Sequence, residues 1–228
     1  MRTACFVDGY NLYYGMLRGT PYKWLDLPAL LSHVLHVQNP SSVLCHTHYF
    51  TAPVKPDLAT RGVVSQHSQH TYLRALAARD VTVTLGRHRL QRSRAPVFIA
   101  GEKPSRAQQT DIWQLEEKET DVSIAISMYR AATFNCAPES EAKIEQLVLV
   151  SADTDMTPAL AAIRSDYPDL RIGVILPHAE HVNRGTPGSL ANYSNWIRRN
   201  IRREELASFQ LPPRVGTKKK PADKPAYW

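Results

Sequence analysis

A three-layer α/β/α sandwich around a mainly parallel central sheet is the fold predicted for this 228-residue chain. Three observations predict it. Short apolar runs alternate with longer stretches of helical period, the runs are apolar almost throughout, and runs near both ends of the chain stop in carboxylates. Regular strand–helix alternation implies parallel strands joined by crossover helices. Continuous apolar strands imply that both faces of the sheet are covered.

Strands are expected at Thr3–Val7, Val43–Phe50, Val81–Leu85, Leu147–Val150 and Ile172–Leu176. Helical periodicity falls at about Pro28–Leu35, Val63–Arg79, Thr120–Ala132, Pro158–Ser165 and Ser189–Leu206. In "LGRHRLQRSRAPVFIAG" the alternation lapses, and two short extended pieces suit an antiparallel hairpin or flap. From about Leu211 the composition turns to Pro, Lys and Gly. Residues 1–210 therefore read as one domain and 211–228 as a basic, flexible tail.

Composition narrows the function classes. Hydrophobic content of 43% and charged content of 21% describe an ordinary soluble globular protein. Nothing near the start resembles a signal peptide, and no segment approaches the ~20 apolar residues that span a bilayer. Cys5, Cys45 and Cys136 are scattered and odd in number, which argues against a disulfide framework and for a reducing cytoplasm. Net charge of +7 favours a polyanionic partner, of which nucleic acid is the commonest. "WIRRNIRR" gathers Arg198, Arg199, Arg202 and Arg203, and the tail adds Lys218, Lys219 and Lys220. A solvated helix face followed by a soluble tail would look the same. The sequence leaves a homodimer open.

The acids carry the chemistry. In an open parallel sheet the active site lies beyond the carboxyl ends of the strands, where strand order reverses. "CFVDGYNLYYG" ends its apolar run in Asp8, and "LVLVSADTDM" repeats the design with Ser151, Asp153 and Asp155. Asp121 opens the helix of "LEEKETDVSIAISMY", whose apolar positions Val122, Ile126 and Tyr129 share a face. Taken singly, each acid reads as a turn or helix-start residue. Together they form a cluster that repels itself unless cations neutralise it or its pKa values rise. Hard oxygen ligands of this kind suit Mg²⁺ or Mn²⁺, and a basic protein with an acidic metal pocket fits a nuclease.

"FVDGYNLYYG", "EEKETDVSIAISM" and "LVLVSADTDMTPAL" resemble, in order and spacing, the three blocks of NYN domains, of the PIN-like nuclease superfamily. The likeness covers roughly residues 1–213. It implies a PIN-like, Rossmannoid sandwich and a Mg²⁺- or Mn²⁺-dependent ribonuclease hydrolysing RNA phosphodiesters. Asp8, Asp121, Asp153 and Asp155 match the catalytic, metal-binding acids. Asn11 matches the polar residue that orients substrate or metal-bound water, and Ser151 the small hydroxyl residue ahead of the distal pair. Glu117 and Glu119 stand behind Asp121. The same family includes hydroxylation of a pyridine ring in nicotine breakdown. An NADH-dependent hydroxylase of the 6-hydroxy-3-succinoylpyridine type is thus the alternative, and a non-catalytic RNA-binding module the third reading.

Further candidates surround these acids. Tyr10 and Tyr14, beside Tyr13, are placed to stack on the unpaired bases of a nucleic-acid substrate. Arg87 and Arg89, with Arg92 and Arg94, would give the flap one positively charged face. His46 with His48, His67 with His70, and His178 with His181 lack a Cys or carboxylate at zinc-site spacing. No Gly-x-Gly-x-x-Gly follows a strand, so no dinucleotide fingerprint is signalled.

Overall fold

A computed structural model describes residues 1–134, 143–179, 185–218 and 220–228. Its strands are β1 (Arg2–Asp8), β2 (Val43–Thr51), β3 (Val81–Leu85), β4 (Arg87–Pro96), β5 (Gln109–Lys118), β6 (Gln146–Val150), β7 (Arg171–Ile175), β8 (Trp196–Arg198), β9 (Arg214–Val215) and β10 (Ala222–Asp223). Its helices are α1 (Gly9–Leu12), α2 (Leu27–Gln38), α3 (Val63–Ala77), α4 (Thr120–Phe134), α5 (Thr157–Asp166), α6 (Gly188–Ala191) and α7 (Arg203–Ser208).

Six strands form the central sheet in the order β3-β2-β1-β6-β7-β8. Every neighbouring pair is parallel. Chain order runs outward in both directions from the β1–β6 pair, so the reversal point lies between those strands. Burial follows the pleat of β1. Cys5 and Val7 pack with Leu30, Leu31, Tyr72 and Leu76 of α2 and α3, whereas Ala4 and Phe6 pack with Ile124, Met128, Leu160 and Ile163 of α4 and α5. The predicted sandwich is therefore present, with all five predicted strands in place.

The differences have local causes. Residues predicted as one long helix, Ser189–Leu206, form α6, β8 and α7 instead. Apolar residues keep a helical spacing there, but α6 stops at Ala191 with Asn192 as its C-cap, and Asn195 redirects the chain into a strand. Its side-chain oxygen accepts from the backbone N–H of Ile172 at 2.7 Å and from Arg164 at 2.6 Å, which starts β8 alongside β7. The hairpin is longer than expected. β4 pairs with β5, a strand that charged residues disguise, in an unbroken ten-residue antiparallel register from Arg87↔Lys118 to Pro96↔Gln109. On α4 the buried face is Ile124, Met128 and Ala132; the expected face of Val122, Ile126 and Tyr129 is exposed.

The segment expected to be a flexible tail packs on the body. Val215 and Ala222 are buried in the α2–α3 layer, Trp228 packs against them, and β9 pairs with β10. The indole N–H of Trp24 donates to the carbonyl of Pro212 at 2.8 Å, fastening this strap to the core. Lys219 lies outside the described residues, as do Cys136 and His181. Cys5 and Cys45 are free thiols. Among the described residues no helix is long and apolar enough to cross a membrane.

Gly173 shows how closely the outer strands pack, since a Cβ there would meet the Trp196 ring at 2.2 Å. Overpacking of this kind costs about 1–3 kcal/mol. Gly173→Ala is expected to lower the unfolding free energy by that amount, read as a lower urea midpoint with an unchanged slope; a variant as stable as the parent would contradict the packing described.

Candidate active site

Asp8 ends β1 and is 2% exposed. A buried carboxylate needs donors, and the chain places them locally. Asp8 caps α1, so one oxygen accepts from the backbone N–H of Asn11 at 2.9 Å. Its other oxygen accepts from the Asn11 side-chain amide at 2.7 Å and from the Ser151 hydroxyl at 2.9 Å. The bonds continue across the reversal point. Ala152 N–H donates to Asn11 at 3.2 Å, Asp153 N–H donates to Ser151 Oγ at 3.1 Å, and Asp155 N–H donates to Asp153 at 2.9 Å. Asp8, Asn11, Ser151 and Asp153 thus form one network.

Asp121 and Asp155 complete the acidic edge, Asp155 joining the network only through its backbone N–H. Burial pushes the Asp121 carboxyl up, and the charges of Asp8, Asp153 and Asp155 push it further. Burial also raises Asp8, against its three hydrogen bonds, and the Asp153 charge adds to the rise. The acids therefore sense one another, as expected. They do not converge on one ion: among the described residues no three His, Cys, Asp or Glu side chains could hold a metal. Asp8 meets its own burial by accepting three hydrogen bonds.

Beside the acids lies a cavity of about 490 Å³, within the size range of small-molecule sites. Its inner wall is Gly9, Tyr10, Tyr49 and His88, and Tyr14 and Leu115 extend it. Gly9 is required by space, because a Cβ would come within 2.6 Å of the Tyr49 ring. After α1 the helix widens into a π-turn over Tyr13–Leu17, which brings Tyr13 and Tyr14 to the mouth. Tyr10 is hydrogen-bonded to His88 Nε2, and His88 Nδ1 lies 2.9 Å from the carbonyl of Pro53. A carbonyl only accepts, so neutral His88 carries its proton on Nδ1 and Tyr10 donates to Nε2. Burial and the Glu117 charge raise Tyr10, and burial with the Asp8 and Glu117 charges raises Tyr49. The cavity and the acids are electrostatically one site.

Most predicted site residues are at this edge: Asp8, Asn11, Asp121, Ser151, Asp153 and Asp155 on the acidic side, Tyr10 and Tyr14 in the cavity. Arg87 and Arg89 are elsewhere. Pleat alternation puts His88 and Leu115 on the cavity face of the ribbon and Arg87 and Arg89 on the other, where they line a separate hollow with Lys118 and Glu119. The expected single basic face does not form, because Arg87 and Arg89 lie on one side of the ribbon and Arg92 and Arg94 on the other, and Arg87 pairs with Glu119 at 2.5 Å and Arg92 with Asp111 at 2.7 Å. Glu119 is thereby turned from the acids. His48 is stacked on Phe6 at 4.9 Å, and His178 is buried beyond β7. Sequence reading passed over His88, Tyr49 and the end residues Tyr227 and Trp228, all cavity-lining. Only an isolated aromatic pair closing a Pro- and Lys-rich segment signalled the last two.

Glu117 sits directly across the ribbon from His88. Burial, followed by the Asp8 and Asp121 charges, moves its carboxyl from an ordinary 4.5 to about 7, against a hydrogen bond from Thr120. A raised folded-state pKa makes stability fall as pH rises through that interval. Glu117→Gln is therefore expected to raise the melting temperature relative to the parent at pH 8 and not at pH 4.5. A difference constant across that range in circular dichroism melts would contradict the assignment.

A parallel α/β frame with buried polar groups and a ligand-sized aromatic cavity at its strand reversal defines the class of protein. No family model matches the chain. It is 35% identical, over 250 aligned positions, to the 6-hydroxy-3-succinoylpyridine 3-monooxygenase HspA of Pseudomonas putida, covering 100% of this chain and 75% of that enzyme. The crystal structure of VPA0982, a protein of unknown function from Vibrio parahaemolyticus, is similar with a TM-score of 0.49 and 16% identity, over 92% of this chain and 96% of that one. The chain belongs to the family of the HspA monooxygenase. This corrects the expectation of a ribonuclease: a relative matched along the entire chain is named as an oxygenase.

Proposed function

We propose that this protein is a monooxygenase that hydroxylates a substituted pyridine of the 6-hydroxy-3-succinoylpyridine type, with NADH as electron source. The observation that carries the reading is the 35% identity to HspA along the whole chain. The aromatic cavity supports it, since tyrosine-lined walls suit a flat heteroaromatic ring. The NYN-like blocks then supply the frame and the polar edge rather than phosphodiester chemistry.

A monooxygenase places one oxygen atom of O₂ in its product and reduces the other to water, which consumes two electrons and two protons. NADH brings the electron pair and one proton as hydride, and solvent the second proton. A flavin or a redox metal is the usual carrier between hydride and dioxygen. The chain's own residues bind and orient. Tyr10 and Tyr49 hold the ring beside the acidic edge, and the strap with Trp228 limits water at the far wall. Tyr10, pinned by His88, presents its hydroxyl at a set position. Glu117 stands outside the lining, and its charge, with burial, keeps the Tyr10 hydroxyl protonated as a donor.

Purified protein incubated with NADH, O₂ and 6-hydroxy-3-succinoylpyridine, with and without added flavin or Fe²⁺, is expected to oxidise NADH in a substrate-dependent manner. One label from ¹⁸O₂ should appear in the aromatic product. Tyr10→Phe should lower kcat by roughly tenfold or more with an unchanged melting temperature. No substrate-dependent NADH or O₂ consumption under any of these conditions would refute the reading.

A further inference from the structure

The cavity has a second chemical character at its mouth. Arg18, Lys23, Lys55 and Arg61 line it, and no Asp or Glu does. Elsewhere cations are neutralised: Arg79 by Asp26, Arg92 by Asp111, Arg198 by Glu205. Among the described residues none of the cavity cations has a carboxylate within ion-pair distance. Three of them are nonetheless held by rings: Arg18 lies 5.5 Å from the Tyr14 ring centroid, and the other two share Tyr227. The Arg61 guanidinium lies 4.6 Å from the Tyr227 ring centroid, and the Lys23 ammonium 5.8 Å from the same ring. Cation–π contacts fix a charge without neutralising it. The ring itself is anchored from behind, because Tyr227 abuts Trp228, whose indole packs edge-on against Trp24 and Tyr72 of the core.

We propose that Arg61 and Lys23, held over Tyr227 by the docked C-terminal strap, form an anion subsite that selects ring substrates carrying a carboxylate side chain. This rests on the aromatic cavity being the ring-binding site. The ring occupies the inner end against Tyr10 and Tyr49, and the carboxylate reaches the mouth. Each cation gives up only water to meet it, since no protein acid has to be displaced. Arg61 offers a forked pair of donors and Lys23 a point charge. The C-terminal strap thereby becomes a specificity element rather than an appendage.

Calorimetric titration with 4-oxo-4-(3-pyridyl)butanoate and its methyl ester separates the two ideas, because the probes share a ring and differ in charge. The full-length protein is expected to bind the acid roughly tenfold more tightly than the ester, equivalent to ~1.4 kcal/mol, with the difference shrinking as salt rises. The double variant R61Q/K23Q should bring the ratio close to one while leaving the ester's Kd unchanged. Arg61→Lys should retain most of it, and Tyr227→Leu should lose several-fold. Thermal melts of each variant establish folding, and the parent's acid-to-ester ratio needs no variant. Equal binding of acid and ester by the parent, or a ratio untouched in R61Q/K23Q, overturns the anion subsite and leaves the ring site standing. Failure of both probes to bind overturns both.

Discussion

Burial of one carboxylate organises this molecule. Asp8 lies at the centre of the sheet, where water cannot solvate it, and a buried polar group stripped of one partner costs about 1–3 kcal/mol. Its donors come from two places distant in sequence: Asn11 on the turn leaving β1, and Ser151 on the turn leaving β6. Satisfying Asp8 therefore clamps together the adjacent strand ends at which chain order reverses. The clamp also sets the direction of α1, and so the placement of Tyr10 and Tyr14. Floor and wall of the site descend from one constraint.

Charge is divided between the two ends of that site. Acids collect where strands terminate, and unneutralised cations collect around the aromatic mouth. Net charge conceals this division. The arginines that suggested a nucleic-acid surface are largely spent on internal partners: Arg198 contacts both oxygens of Glu205 at 2.5 and 2.6 Å, and Arg87 and Arg92 are paired along the ribbon. The cations that stand free were inconspicuous in the sequence, because Arg18, Lys23, Lys55 and Arg61 are isolated there. Composition counts charges; only the fold shows which of them have been cancelled.

The same distinction explains what the sequence made legible. β1, β2, β3, β6 and β7 are dominated by burial, and burial leaves an apolar run that any reader can find. The acids at the strand ends were visible for the topological reason that a parallel sheet sends its carboxyl ends to one edge. β5 carries no apolar run because a two-stranded ribbon outside the central sheet buries little of either face, and Glu116, Glu117 and Lys118 read as a polar, acidic lead into α4. On α4 two apolar stripes compete, Ile124–Met128–Ala132 and Val122–Ile126–Tyr129, and only packing against α5 and the sheet chooses between them. The docked strap was hidden for a similar reason: Val215, Ala222 and Trp228 are too sparse to form a pattern, yet each fills a place in a core built by other elements. Chemistry followed the same rule. The acids alone suited metal-assisted hydrolysis, whereas the cavity that points to an aromatic substrate is assembled from six separate stretches of chain.

Reading the ribbon as a ladder has an evolutionary corollary. His88 and Leu115 reach the cavity because rungs alternate between two faces, so a shift of one residue would present Arg87 or Arg89 in place of His88. Relatives are free to lengthen or trim the tip between Val97 and Gln108 as they please. Between Gly86 and that tip, gaining or losing an odd number of residues on one strand would exchange an imidazole for a guanidinium at the site. Indels among kin should therefore cluster at the tip and spare the rungs beneath it.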